Sequence, residues 1–373
     1  NCSFVPASNM KLVTGAAALL LLGADYRFRT EVYAADFDAK SGAAKALFIQ
    51  GFGDPSRSER FYETNGAAAD ALAAELVAHG LRRVDGDLIL DDTFFQAKDT
   101  MPADWMKEDL KYCYAPRMGS LSVAGNCLKV KITGAARGKK AVVETDPPVD
   151  TERFVNHTVT NRSKRGRVSA TLKDNGTLVV SGSVRSGRSV SKEYPLRVPA
   201  LFYGNVLSGA LRRLGVPVKG RILLYRKTKT NLESFTRFTT LNSPPLADIL
   251  AAMQKHSDNF IAEQIVRTVG GGRNGGTTEA GTALISKTMH RSDLAASWFL
   301  RVFDGSGLSR SNRLTPDVLI NLLSWLYHSN YRDLVLATLA TPGGEGTMEK
   351  RLVGTPAQGR LWAKTGALRG VCS

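Results

Sequence analysis

The chain is 373 residues long, too long for one compact core, so two or three domains are expected. Hydrophobic residues make up 43% and charged residues 23%, an ordinary globular composition that excludes a disordered tail, a collagen-like rod and a small disulfide-stapled scaffold. Lys and Arg outnumber Asp and Glu by 50 to 34, and the resulting charge of +16 favours an anionic partner such as nucleic acid, acidic lipid or an acidic polymer while saying nothing of the fold.

In chain order, residues 6–23 read as a helix: Pro6 opens it, Ala and Leu fill it, and Gly23 stops it. It is apolar nearly all round and so belongs inside a domain. Its apolar run, residues 14–22, falls short of the roughly 20 residues a membrane span needs and lacks the flanks of an export signal. Any targeting peptide would lie upstream. Residues 26–49 are strand-like, 51–55 a turn, 67–79 an amphipathic helix ended by Gly80, and 87–90 another strand. From 129 to 198 short alternating runs are broken by turns, and Asp174-Asn175-Gly176 between residues 168–172 and 178–180 is a hairpin signal. The basic run 164–167 reads as a solvated strand end. Helix returns at 200–214 and dominates after Pro244-Pro245, with a glycine-rich surface loop at 270–276 and a final strand near 361–371.

The expected organisation is a helix-rich domain built from both chain ends, residues 1–26 and 240–373, around a β-rich insertion, residues 27–239, of one or two nested domains. The cysteines Cys2, Cys113, Cys127 and Cys372 show no metal-ligand spacing. Cys113 and Cys127 bracket a short segment. They are either a disulfide formed in an oxidising compartment, stabilising by about 3 kcal/mol, or two buried thiols. Whether Cys2 and Cys372 pair is open.

No G-x-S-x-G elbow, H-E-x-x-H or P-loop is present, and the five histidines are scattered. Ser8-Asn9-Met10-Lys11 stands at the start of the apolar helix. Residues three apart share one helix face, so hydroxyl and amine can meet. A neutral Lys beside a Ser can take its proton, and burial against apolar walls or a second nearby cation keeps a Lys neutral. The helix N-terminus adds N–H groups suited to an oxyanion. By chance alone, about two S-x-x-K matches are expected in such a chain. Ser189-Val190-Ser191-Lys192 is one, discarded because it lies in a strand-like run where positions three apart face opposite ways.

Company decides. Ser257-Asp258-Asn259 lies between two helical stretches, 246–254 and 260–267, and Lys364-Thr365-Gly366 lies on the last strand. Three motifs in this order make the set of penicillin-binding proteins and serine β-lactamases. The whole chain resembles the class C low-molecular-mass penicillin-binding proteins, D-alanyl-D-alanine carboxypeptidase/endopeptidases of bacterial cell walls. Residues 4–12, 51–55 and 86–92, Ala115-Pro116, Asn126-Cys127, the block 304–310 and Gly346-Thr347 carry the likeness. So does the long interval between Ser8 and Ser257, which ordinary β-lactamases keep much shorter.

The resemblance implies an α+β fold: a β-lactamase/transpeptidase-like domain, antiparallel sheet with helices, made from both chain ends around the insertion. It implies acyl transfer from D-Ala-D-Ala to Ser8, with Lys11 as base, Ser257 as proton relay assisted by Lys364, and Asn259 orienting substrate and Lys11. Lys364 and Thr365 hold the terminal carboxylate beside Gly366, and the N–H groups of Ser8 and Ala367 form the oxyanion hole. The family usually has Thr or Ser where Ala367 stands, so one hydroxyl contact is lost. Asp109, four positions before Cys113 with Glu108 as its rival, matches an acidic residue that meets the amine of a peptidoglycan diamino acid. No metal or cofactor is implied. The partners are peptidoglycan stem peptides and cross-links, with β-lactams as covalent inhibitors, no nucleic acid, and peripheral contact with anionic membrane or wall polymers. The expected place is the periplasm or cell envelope, and the chain's end at Ser373 reads as truncated before a further family strand. The rivals are a β-lactamase and a non-catalytic peptidoglycan-binding envelope protein.

Overall fold

The computed structural model describes residues 2–98, 100–162, 167–173, 175–228, 230–271, 275–291 and 299–372. Asp174, positions 164–166 of the basic run and positions 272–274 of the glycine-rich loop lie outside the described residues. The chain divides into two compact units: Asn1–Phe28, Phe94–Leu110 and Ser243–Ser373 form one, Arg29–Thr93 and Lys111–Asn242 the other. Residues 94–110, expected within the insertion, therefore belong with the chain ends.

In chain order the first helix is α1 (Met10–Leu22). The second unit then runs through β1 (Arg29–Ala35), β2 (Ala43–Ala44), β3 (Ala46–Gly51), α2 (Asn65–Ala78), β4 (Arg83–Val84) and β5 (Leu88–Asp91). After Lys111 it continues with β6 (Cys127–Thr133), β7 (Val142–Asp146), β8 (Phe154–Asn161), β9 (Arg167–Leu172), β10 (Leu178–Arg185) and β11 (Ser189–Pro195). It closes with α3 (Pro199–Arg213), β12 (Ile222–Leu224) and β13 (Phe235–Asn242). The first unit resumes as α4 (Leu246–Lys255), α5 (Asn259–Val269), α6 (Thr278–Arg291), α7 (Pro316–His328), α8 (Arg332–Thr338), β14 (Ala367–Leu368) and β15 (Val371–Cys372).

The second unit carries a five-stranded sheet ordered β12-β5-β3-β1-β13, and two three-stranded sheets, β8-β10-β9 and β11-β6-β7. Leu47 and Ile49 of β3, Leu88 and Leu90 of β5, Leu72 and Leu76 of α2 and Phe202 of α3 fill its core. The hairpin signalled around residue 175 joins β9 to β10 antiparallel, with Leu172 opposite Leu178. Cys113 and Cys127 form a disulfide across this unit's entry into β6, with Cα atoms 5.6 Å apart. Ser189 and Lys192, the discarded motif match, lie on β11.

In the first unit α1 is buried from Met10 to Leu19 and packs against α4, α5 and α6. Gly15 is what lets α4 approach: a Cβ there would stand 3.0 Å from Gln254 Nε2, whose amide donates to the Lys11 carbonyl at 2.8 Å. Among the described residues no helix is long and apolar enough to cross a membrane. The final strand expected over residues 361–371 is instead a hairpin: β14 pairs antiparallel with β15, Ala367 opposite Cys372. Gly370 at φ 75° makes the reversal, so Lys364-Thr365-Gly366 leads into β14 rather than lying inside a long strand. Cys2 and Cys372 are both exposed free thiols.

Candidate active site

Ser8 sits in a 3-10 turn, Ala7–Asn9, that runs directly into α1. Ala7 enters the turn at φ 47°, a left-handed conformation costing a non-glycine residue about 1–3 kcal/mol. Gly307 backs the turn. Its φ is +83°, and a Cβ there would stand 1.7 Å from the Ala7 carbonyl oxygen. Only glycine permits that approach, so the 304–309 loop reaches the backbone of the turn that carries Ser8.

Lys11, in the first turn of α1, has no exposed surface. Its Nζ lies 3.1 Å from Ser8 Oγ, 2.6 Å from Asn259 Oδ1 and 2.7 Å from the Ser306 carbonyl oxygen. Burial lowers its pKa to about 8, while the negative charges of Asp304, Asp258 and Glu263 hold it from falling further. A neutral amine has two N–H donors and one lone pair. The amide oxygen of Asn259 and the Ser306 carbonyl take the two donors, which leaves the lone pair for the Ser8 hydroxyl proton.

Asn259 is placed by its neighbours. Asp258 caps α5 by accepting from the Ile261 N–H at 3.1 Å, which fixes where the helix begins and so where its first residue presents its amide. Ser257, immediately before, adopts φ 55°. Lys364 Nζ donates to Ser257 Oγ at 2.8 Å and to the Thr365 carbonyl at 2.7 Å. Burial lowers its pKa to about 7, with the Lys11 charge pushing the same way. β14 runs beside the Ala7–Asn9 turn. Ser8, Lys11 and Asn259 are thus hydrogen-bond neighbours, and Lys364 and Ser257 adjoin them through the 257–259 segment.

Of the other positions expected in the site, Thr365 is half-buried, Gly366 buried, and Ala367 exposed as the first residue of β14. Asp109, half-buried, ends a turn in which its N–H donates to the Met106 carbonyl at 2.9 Å.

Motifs marked the block 304–310 but not the contacts it makes behind these residues. The Asp304 carboxylate, fully buried, accepts from Gly307 N (2.8 Å), Ser309 N (2.6 Å), Asn312 Nδ2 (2.8 Å) and Trp105 Nε1 (2.8 Å). Ser309 Oγ in turn donates to Asp104, so two residues of the 94–110 stretch are tied to this loop. Thr14 Oγ1 donates to the Gly305 carbonyl at 2.7 Å, and Glu263 Oε1 accepts from Gly305 N and Ser306 N at 3.0 and 2.8 Å. The one signal for Glu263 was an acidic residue four positions after Asn259 inside an apolar stretch. Among the described residues the grouping with metal-ligand reach is Cys113, Cys127 and Glu193, whose sulfurs are bonded to each other.

Over residues 1–373 the chain matches the model of the D-Ala-D-Ala carboxypeptidase 3 (S13) family. The chain belongs to that family. It is 32% identical to the D-alanyl-D-alanine carboxypeptidase of Actinomadura sp. (strain R39), over 98% of this chain and 69% of that one. Penicillin binding protein 4 of Haemophilus influenzae superposes with a TM-score of 0.75 at 23% identity, covering 99% of this chain and 81% of that one. The same protein complexed with a β-lactam gives a TM-score of 0.71 at 24% identity, covering 99% and 80%. These likenesses establish the fold, α+β of the penicillin-binding kind. The chain is an enzyme, a serine-type D-Ala-D-Ala carboxypeptidase rather than a β-lactamase or a non-catalytic wall-binding protein.

Proposed function

We propose that Ser8 is the acylated nucleophile of this S13 enzyme and that its substrates are peptidoglycan peptides ending in D-Ala-D-Ala, or cross-links ending in D-Ala. The observation carrying the assignment is Lys11 Nζ held among Ser8 Oγ, Asn259 Oδ1 and the Ser306 carbonyl. Ser8 Oγ attacks the carbonyl of the D-Ala bond while its proton passes to Lys11. The developing oxyanion takes hydrogen bonds from the N–H groups of Ser8 and Ala367, each worth about 3 kcal/mol of barrier. Ser257, hydrogen-bonded to Lys364, relays a proton to the departing amine. Lys364 and Thr365, beside Gly366, hold the terminal carboxylate, and Asn259 orients the substrate backbone. Water then releases the acyl group and regenerates Ser8.

Asp109 is proposed to meet the free amine of the diamino acid, on the strength of its place four residues before Cys113. A β-lactam mimics the dipeptide and leaves a slowly hydrolysed ester on Ser8. The setting is the cell envelope, the periplasm in a double-membraned bacterium, with the surplus positive charge adhering to anionic wall polymers.

Ser8→Ala is expected to abolish labelling by a fluorescent penicillin with the circular dichroism spectrum unchanged. Undiminished labelling removes Ser8 as nucleophile. Mass analysis of a defined cross-linked muropeptide after incubation separates the two activities: free D-Ala marks the carboxypeptidase, a cleaved bridge the endopeptidase, and an unaltered substrate rules out both.

A further inference from the structure

Glu263 has no exposed surface and no part in the steps above, and a carboxyl group without water is costly to keep unless it does something. It lies on α5, one turn beyond Asn259. Oε1 accepts from two successive backbone amides, Gly305 N at 3.0 Å and Ser306 N at 2.8 Å. The carbonyl of Ser306, the second of those residues, accepts from Lys11 Nζ at 2.7 Å. Among the described residues Glu263 Oε2 meets no hydrogen-bond partner.

Resting on the acyl-enzyme reading, we infer that Glu263 is a positioning residue for Lys11: by clamping the Gly305 and Ser306 amides it holds the Ser306 carbonyl where it takes one N–H of the amine. With that acceptor and Asn259 Oδ1 both in place, the lone pair has one direction left, towards Ser8. Without the clamp, the loop carbonyl is free to turn away, and the amine can donate to Ser8 Oγ instead of accepting its proton.

Burial and the Asp304 charge raise the pKa of Glu263 to about 8, against the opposing pull of Arg267 and of the Ser306 hydrogen bond. The charges acting on Lys11 are Asp304, Asp258 and Glu263 itself. In its neutral form Glu263 works through reach rather than charge.

Reach and charge can be separated. Glu263→Gln keeps an oxygen at the end of a side chain of the same length and removes the ionisable group. Glu263→Asp keeps that group and withdraws it by one methylene, about 1.5 Å. The experiment measures the acylation rate constant and the preceding non-covalent constant for a penicillin, from pH 5 to 10, on wild type and both variants, alongside their melting temperatures. Glu263→Gln is expected to acylate within about threefold of wild type. Glu263→Asp is expected to lose about a hundredfold in acylation, the scale of an ångström's misplacement of a reacting group, with the non-covalent constant unchanged. Its acidic limb should also move to lower pH, because the protonated amine loses an acceptor. A merely structural role would lower the melting temperature and the active fraction without moving that limb.

Glu263→Asp acylating at the wild-type rate overturns the inference, as does Glu263→Gln falling as far as Glu263→Asp. A fall in Glu263→Asp with an unmoved limb does so too. Wild type that takes no penicillin at all sinks the acyl-enzyme reading and this inference with it; an active wild type beside an unimpaired Glu263→Asp sinks the inference alone.

Discussion

Two lysines with lowered pKa values stand in this site, and they are asked to do opposite things. Lys11, at about 8, must be neutral to accept the Ser8 proton. Lys364, at about 7, must be charged to hold a carboxylate. Rising pH therefore discharges the anchor, at about 7, before it frees the base, at about 8, so the pair the reaction needs is a minority protonation state and kcat/KM on a carboxylate-terminated peptide should trace a narrow bell. Its maximum should fall midway between the two values, at about pH 7.5. Acylation by a neutral ester that needs no carboxylate anchor should keep the acidic limb and lose the basic one. A single limb shared by both substrates would remove Lys364 from carboxylate binding. The stability contribution carries its own sign. Between about 8 and 10.5, the unperturbed value, the unfolded chain binds the Lys11 proton and the folded one has released it. Burying Lys11 thus costs most below about 8, and the cost fades as pH rises towards 10.5.

At the level of elements, the hidden layer behind the site holds the 304–309 loop by side chains from three parts of the chain. Trp105 Nε1 and Asp304 Oδ2 are separated by 199 positions. Replacing Trp105 with Phe keeps an aromatic ring and removes a buried donor to a carboxylate. Stability should drop by about 1–3 kcal/mol, read from the denaturant midpoint, and an unchanged midpoint would remove Trp105 as a support of the loop. Contacts of this kind explain what the sequence concealed. The buried helix α1 was legible because Ala and Leu run unbroken over residues 16–22 up to Gly23, and α2 and α3 because apolar spacing and a closing glycine agree. That Ser8, Lys11 and Asn259 are hydrogen-bond neighbours, and Ser257 and Lys364 likewise, was legible because three short motifs occur in one order. Residues 94–110 have no periodicity, and what anchors them is a pair of side chains reaching Asp304 and Ser309, which no local pattern encodes. The strand expected over 361–371 failed differently: Gly370, inside that span, stands at φ 75° and reverses the chain.

For the whole molecule, charge is the property that the catalytic reading leaves unused. Basic residues exceed acidic ones by 50 − 34 = 16, so even complete pairing would leave sixteen cations for solvent or a partner. Many of the pairs that do form are exposed, such as Arg213 with Asp70 and Lys131 with Glu144, and exposed pairs contribute little to stability. The surplus is better placed to raise the enzyme's local concentration on a negatively charged substrate than to hold the fold. Such attraction is screened, with a Debye length of about 10 Å at 0.1 M salt and about 3 Å at 1 M. Co-sedimentation of the Ser8→Ala variant, chosen because the proposed reaction cannot proceed without that hydroxyl, with purified peptidoglycan sacculi should therefore weaken steeply as salt rises from about 0.05 to 0.5 M. Hydrolysis of a short soluble peptide by wild type should change little over that range. Sacculi stripped of anionic polymer should bind less than intact ones, and vesicles of acidic lipid tested in parallel distinguish a membrane from the wall as the anionic surface. Sedimentation indifferent to salt on both surfaces would leave the charge without an adhesive role, and with it the proposal that this enzyme is concentrated where its cross-links lie.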